Sequence, residues 1–210
     1  MGGIRLFILK GLPKDIAMSR RPKFSVFKLG KTANKKAKTI LSFDPGTKNF
    51  AYSIIKNGKC KEIGFLNPTV NDLKNELFML LVRKFLRQIK RLVQKHKPDF
   101  VIAERYMVRG RFNGAQAECV NVMLGLIAFI CQKLRIHFQL ITAAVWKNQF
   151  HRDIGPKSLV THYKMVKKMP PHVMDATFIG LYAKEAKYTK KSIKRNMTIL
   201  EELWTTSAQP

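Results

Sequence analysis

Thr39-Ile-Leu-Ser-Phe-Asp44, Phe50-Ala-Tyr-Ser-Ile-Ile55 and Cys60-Lys-Glu-Ile-Gly-Phe-Leu66 are three short runs rich in β-branched and aromatic residues, each bounded by turn residues. Such runs read as strands. Asn57-Gly58 joins the second to the third, and both residues tolerate positive φ, so a tight hairpin is predicted there. The three runs therefore predict an antiparallel meander whose first strand ends on a carboxylate, Asp44.

Downstream, Asn71 to Gln94 places Leu73, Leu77, Leu80, Leu81, Phe85, Ile89 and Leu92 at steps of three or four, with Arg83, Lys84, Arg87, Lys90 and Arg91 between them. That spacing predicts an amphipathic helix with a basic outside, ended by Lys97-Pro98-Asp99. Phe100-Val-Ile-Ala-Glu104 is a fourth buried strand that, like the first, closes on an acid. Ala115 to Leu134 reads as a largely buried helix and Ile136 to Thr142 as a fifth strand. Lys157 to Lys168 and His172 to Ala186 read as further helices, separated by Pro170-Pro171. The stretch after about Tyr188 reads as a final helix or a frayed end.

The order βββαβαβαα predicts an α/β fold: a mixed five-stranded sheet, with an antiparallel trio joined to parallel strands, flanked by helices. The expected organisation is a basic leader over 1–38, one domain over 39–188, and a basic tail or last helix over 189–210.

Charge narrows the partner. Forty Lys and Arg against 13 Asp and Glu give a formal net charge of +27 in 210 residues. A surplus of that size calls for a polyanion, and nucleic acid fits better than a membrane, because no apolar run approaches the roughly 20 residues a bilayer requires. Hydrophobic residues at 46% exclude a wholly disordered polybasic chain. The three cysteines, Cys60, Cys119 and Cys131, form no CxxC pair and argue against a disulfide framework or zinc site. Cys119 and Cys131 read as buried fillers. A reducing intracellular compartment is expected, and Met1 to Lys10 does not read as a secretory signal. Arg20 to Lys38 carries no acid and fits a DNA-contacting tail, an organelle-targeting segment or a solvated leader.

The carboxyl ends of neighbouring parallel strands face one crevice, so Asp44 and Glu104 are expected to converge, with Asp175 approaching from the start of the last apolar helix. Singly, each acid has an ordinary reading: a turn residue at Asp44-Pro-Gly46, a partner for Arg105 or Arg109 at Glu104, a helix N-terminal acid at Asp175. Jointly, three acids in one crevice repel, and a divalent cation is the usual remedy. Oxygen ligands favour Mg²⁺ or Mn²⁺.

Ser42-Phe-Asp-Pro-Gly-Thr-Lys-Asn-Phe-Ala-Tyr52 resembles the first motif of the RuvC-type Holliday junction resolvases, of the ribonuclease-H-like superfamily. Val101-Ile-Ala-Glu-Arg105 is similar to the second motif. Arg111-Phe-Asn-Gly-Ala-Gln-Ala117 and the apolar helix after it resemble the family's long helix, and His172-Val-Met-Asp-Ala-Thr177 resembles the last motif. The likeness spans roughly Thr39 to Ala186. The basic leader departs from compact bacterial members and looks nearer to viral, phage or organellar ones.

The resemblance implies a ribonuclease-H-like fold and a metal-dependent endonuclease cutting four-way and other branched DNA. It implies an active site of Asp44, Glu104, His172 and Asp175 holding two Mg²⁺ ions, with Mn²⁺ able to substitute. Lys147 and Lys157 fall where the family has lysines near the scissile strand. Arg105, Tyr106, Arg109, Arg111 and Phe112 form a candidate loop for the branch point. A homodimer is implied, with Val120 to Ile130 as its candidate interface. Two alternatives stay open: a different ribonuclease-H-like nuclease acting on hybrids or DNA ends, and a non-catalytic basic DNA-binding or packaging protein.

Overall fold

The computed structural model describes residues 36–67, 77–106, 114–155, 169–185 and 187–207. Strands β1 (Thr39–Asp44), β2 (Phe50–Lys56), β3 (Lys59–Leu66), β4 (Phe100–Glu104) and β5 (His137–Ile141) form one sheet in the order β3-β2-β1-β4-β5. β2 lies antiparallel to both β1 and β3, while β1, β4 and β5 run parallel, as the sequence predicts. Asn57 and Gly58 carry φ of 51° and 73°, the left-handed pair that a two-residue hairpin requires. A bulge between Ile54 and Ile55 shifts the β2/β3 register by one residue.

The described helices are α1 (Phe78–His96), α2 (Gly114–Lys133), α3 (Ala143–Ile154), α4 (Pro171–Glu185) and α5 (Lys190–Ser207). They divide between the two faces of the sheet, and alternation along the strands decides which side chain meets which helix. Leu41, Phe43, Phe50, Ile54, Val101 and Ala103 pack with α1 and α2. Ile40, Ala51, Ile55, Phe100 and Ile102 pack with α3, α4 and α5. The layers are helix, sheet, helix.

The α1 helix is described from Phe78; the upstream part of that expectation, 71–76, lies outside the described residues, as does the expected helix over 157–168. A further helix, α3, occupies the stretch after Thr142, where none is expected. Only Trp146 and Phe150 of its twelve residues are buried, too few to display a helical period in the sequence. The C-terminal stretch forms α5, whose Ile193, Met197 and Leu200 are buried in the same core as α4. Asn196 ties it to the β2/β3 hairpin: its side chain accepts from the Cys60 amide at 2.8 Å and donates to the Gly58 carbonyl at 3.1 Å.

The α4 helix is the element that positions the site. Val173 to Ala183 are all buried, because the sheet covers one side and α3 and α5 the other. Its approach to β1 is close. The Ser42 hydroxyl donates to the Ala176 carbonyl at 2.7 Å, and a Cβ added to Gly180 would stand 2.6 Å from both Ser42 Oγ and Ile55 Cγ1. Only a residue without a side chain allows this contact.

Gly180→Ala is expected to lower unfolding stability by about 1–3 kcal/mol through overpacking. Gly125→Ala, on an α2 position with nothing near the added carbon, is expected to raise it by about 0.5–1 kcal/mol. Urea denaturation of the two variants checks the pair; equal effects would contradict the packing described.

Candidate active site

Parity along the strands selects the residues. Asp44 continues the β1 series Ile40, Ser42 that faces α4, and Glu104 continues the β4 series Phe100, Ile102 on the same face. The parallel register pairs Phe43 with Ala103, so its next step sets Asp44 beside Glu104 where the two strands leave the sheet. The first turns of α4 then bring His172 and Asp175 over this edge. Asp44 and Asp175 are buried, at 7% and 9% exposure, while Glu104 and His172 are half-buried.

Each carboxylate meets a protein donor. The His172 Nδ1 atom lies 2.7 Å from Asp44 Oδ2; since a carboxylate only accepts, the imidazole donates. The Trp146 indole donates to Glu104 Oε2 at 2.7 Å, and the Lys147 ammonium to Asp175 Oδ2 at 3.1 Å. Lys147 also lies 4.9 Å from the centroid of the Trp146 ring. Trp146 and Lys147 are neighbours on α3, so this one short helix supplies two of the three donors.

The charges interact. Burial pushes the Glu104 carboxyl up to about 7, and the negative fields of Asp44 and Asp175 push in the same direction, against the indole bond and the Lys147 charge. His172 shifts upward as well, chiefly through its hydrogen bond to Asp44. A carboxyl group that feels two other carboxylates belongs to one electrostatic unit with them.

Three carboxylates and an imidazole suit a hard divalent cation by donor type. In this conformation the side chains turn instead to His172, Trp146 and Lys147. Among the described residues, no three His, Cys, Asp or Glu side chains stand close enough to share an ion. The four expected ligands are thus gathered at one edge without forming a closed cage.

Of the other expected residues, Arg105 and Tyr106 follow Glu104 directly. The Arg105 amide donates to the Ile141 carbonyl at 2.7 Å while its side chain is exposed. Tyr106 is half-buried against the α1/α2 core. Arg109, Arg111, Phe112 and Lys157 lie outside the described residues. Trp146 carries no expected role in the sequence reading. Its signal was present nonetheless: a buried indole N–H needs an acceptor.

No family model matches the chain, and no curated protein matches it. Solved structures do. A structure described as Thermus thermophilus RuvC in complex with Holliday junction substrate matches at 15% identity and TM-score 0.51, covering 70% of this chain and 94% of that one. A second Thermus thermophilus RuvC structure matches at 14% identity and TM-score 0.49, covering 71% and 97%. The yeast mitochondrial Holliday junction resolvase Ydc2 matches at 12% identity and TM-score 0.47, covering 84% and 87%. The first establishes a RuvC-type fold. At these identities the likeness carries no particular closeness to viral or phage members.

In chelator, Glu104→Gln is expected to stabilise the protein in a pH-dependent way. A carboxyl raised in the folded state from its usual value of 4.5 to about 7 contributes stability at acid pH that is lost as pH climbs through 7. The variant's advantage is therefore expected to be absent near pH 4, to grow between pH 4.5 and 7, and to level off at up to about 3 kcal/mol. Thermal melts across that range check the sign; an advantage independent of pH would contradict it. In Trp146→Phe, which keeps a ring and loses the N–H, the Glu104 carboxyl is expected to titrate higher still, as read by carbon-detected NMR.

Proposed function

We propose that this chain is a metal-dependent, structure-specific endonuclease that hydrolyses phosphodiester bonds in branched DNA, four-way junctions chief among them. One observation carries the reading: Asp44 and Glu104 end adjacent parallel strands, and α4 brings His172 and Asp175 to the same edge. The RuvC-type fold and the charge of +27 support it, the first by architecture and the second by the partner it demands.

Asp44, Glu104, His172 and Asp175 would hold divalent ions, Mg²⁺ with Mn²⁺ able to replace it, two per site, whose chemistry is to activate water and neutralise charge on the leaving oxygen. The remaining work falls to side chains. The bond from His172 holds the buried Asp44 carboxylate in one orientation, and the Trp146 indole does the same for Glu104. The half-exposed Lys147 ammonium brings positive charge to the edge where the phosphodiester would lie, and excess negative charge develops there as the phosphorus passes through five-coordination. Water adds to phosphorus as the bond to the opposite bridging oxygen breaks, leaving one phosphate and one hydroxyl end.

Arg105 and Tyr106 leave the sheet beside Glu104 and would meet DNA next to the scissile bond, by charge and by stacking. Arg109, Arg111, Phe112 and Lys157 are proposed to extend that contact. Two strands cut in a symmetric junction call for two sites, hence a homodimer. Val120, Met123, Ile127 and Ile130 of α2 are spent on the core, so the available strip is the outward one containing Val122, Leu126 and the exposed Phe129. No described helix is long and apolar enough to cross a membrane. An intracellular location is proposed with the function.

Asp44→Asn is expected to reduce Mg²⁺-dependent cleavage of a synthetic four-way junction by at least about 10²-fold while junction affinity stays within about threefold. A gel assay comparing junction, flap, RNA/DNA hybrid and linear duplex checks both. Paired symmetric nicks in the junction support the proposal. Preferential hybrid cutting would transfer the site to another nuclease of this fold, and binding without cutting would leave a packaging protein.

A further inference from the structure

The outward face of α1 carries Arg83, Lys84, Arg87, Lys90, Arg91 and Lys95, all exposed, and the helix contains no acid. At 3.6 residues per turn these six fall within an arc of roughly 140°, directly opposite the stripe that buries Val82, Phe85, Ile89, Leu92 and Val93. Arg83, Arg87, Arg91 and Lys95 follow one another at steps of four, where like charges destabilise an isolated helix. Lys95 reaches Glu62, but among the described residues Arg83, Lys84, Arg87, Lys90 and Arg91 make no ion pair. A solvated helix needs no such arrangement; mixed charges would keep it soluble at lower cost in repulsion.

The stripe has a defined place. Phe85 meets Phe50 edge-on at 5.4 Å, and Phe50 adjoins Ala51, the partner of Asp44 across the β1/β2 ladder. Arg83, Lys84 and Arg87 flank Phe85 and so stand near the end of the sheet that holds the site, on the face opposite α4. At the other end, α1 closes on Lys97 ahead of Asp99, whose carboxylate accepts from the Lys38 and Thr39 amides at the start of β1. The cations from Arg83 to Lys95 thus span about 18 Å, leading from the site's end of the sheet toward the opposite end.

We infer that the outward face of α1 is a binding surface for the sugar-phosphate backbone of a duplex arm, separate from the residues that meet the scissile phosphate. Charge complementarity selects the partner: a row of cations of this length, unpaired from Arg83 to Arg91, matches several successive phosphates of one strand. An anionic membrane fits less well, because an interfacial helix inserts an apolar face and that of α1 is buried against the sheet. The inference rests on DNA being the partner and does not depend on the chain cutting it.

The test is the salt dependence of DNA binding. The full-length chain with Arg83→Gln, Arg87→Gln, Lys90→Gln and Arg91→Gln is compared with one carrying Lys187→Gln, Lys190→Gln, Lys191→Gln and Lys194→Gln, exposed positions on or near α5 on the other face. Both lose four charges. For the α1 variant the slope of log affinity against log salt is expected to flatten by about 2–4, and affinity for a long-armed junction to fall at least about tenfold near 0.1 M salt. Its thermal midpoint is expected to be unchanged or raised. An α1 variant that keeps the parental slope overturns the inference. So does an equal change in both variants, which would make the effect one of net charge. Loss of binding to phosphatidylserine vesicles with DNA binding intact would assign the face to a membrane and overturn it as well. If the parental chain binds DNA but cuts no branched substrate, the proposed function fails while the slopes still decide this surface.

Discussion

The arrangement depends on how closely α4 can lie against β1. Gly180 and the Ser42 hydroxyl remove the steric barrier, and the bond from Ser42 to the Ala176 carbonyl fixes the helix along the strand. With that contact made, one helical turn carries His172 and Asp175 to the edge where Asp44 and Glu104 already stand as neighbours. A shift of α4 by one residue would turn Asp175 away by about 100° and leave the strand acids without their third member. The edge that gathers these acids is therefore set by packing in the core.

Gathering carboxylates at a half-buried edge is unfavourable, and the neighbouring residues show how the chain contains the cost. Each acid of the edge meets a donor: an imidazole for Asp44, an indole for Glu104, an ammonium for Asp175. These donors compensate only in part, since Glu104 still titrates near 7. A residual negative field is notable in a chain of net charge +27. A local negative field inside a strongly basic chain is the electrostatic division of labour that the proposed metal-assisted hydrolysis would need.

Much of this was legible in the sequence, for physical reasons that differ by element. The meander was readable because Asn57-Gly58 has few uses other than a tight hairpin, and β1 and β4 because each is a buried run closing on an acid. The strand acids could be placed on one edge from strand order alone. The α3 helix was not readable, since a helix that buries only Trp146 and Phe150 has too little apolar periodicity to declare itself. The indole donor to Glu104 was hidden for the same reason, whereas Lys147 was expected near the site by resemblance alone and reaches Asp175 from that helix.

Acids from β1, β4 and α4 are proposed to act together on divalent ions. A crystal structure of the protein grown with Mn²⁺, read by anomalous scattering at the manganese edge, addresses this directly. Manganese is expected between Asp44, Glu104 and Asp175, with the carboxylates swung from their present donors onto the ion. Manganese absent from that edge at millimolar concentration, with His172, Trp146 and Lys147 still holding the three acids, would contradict it.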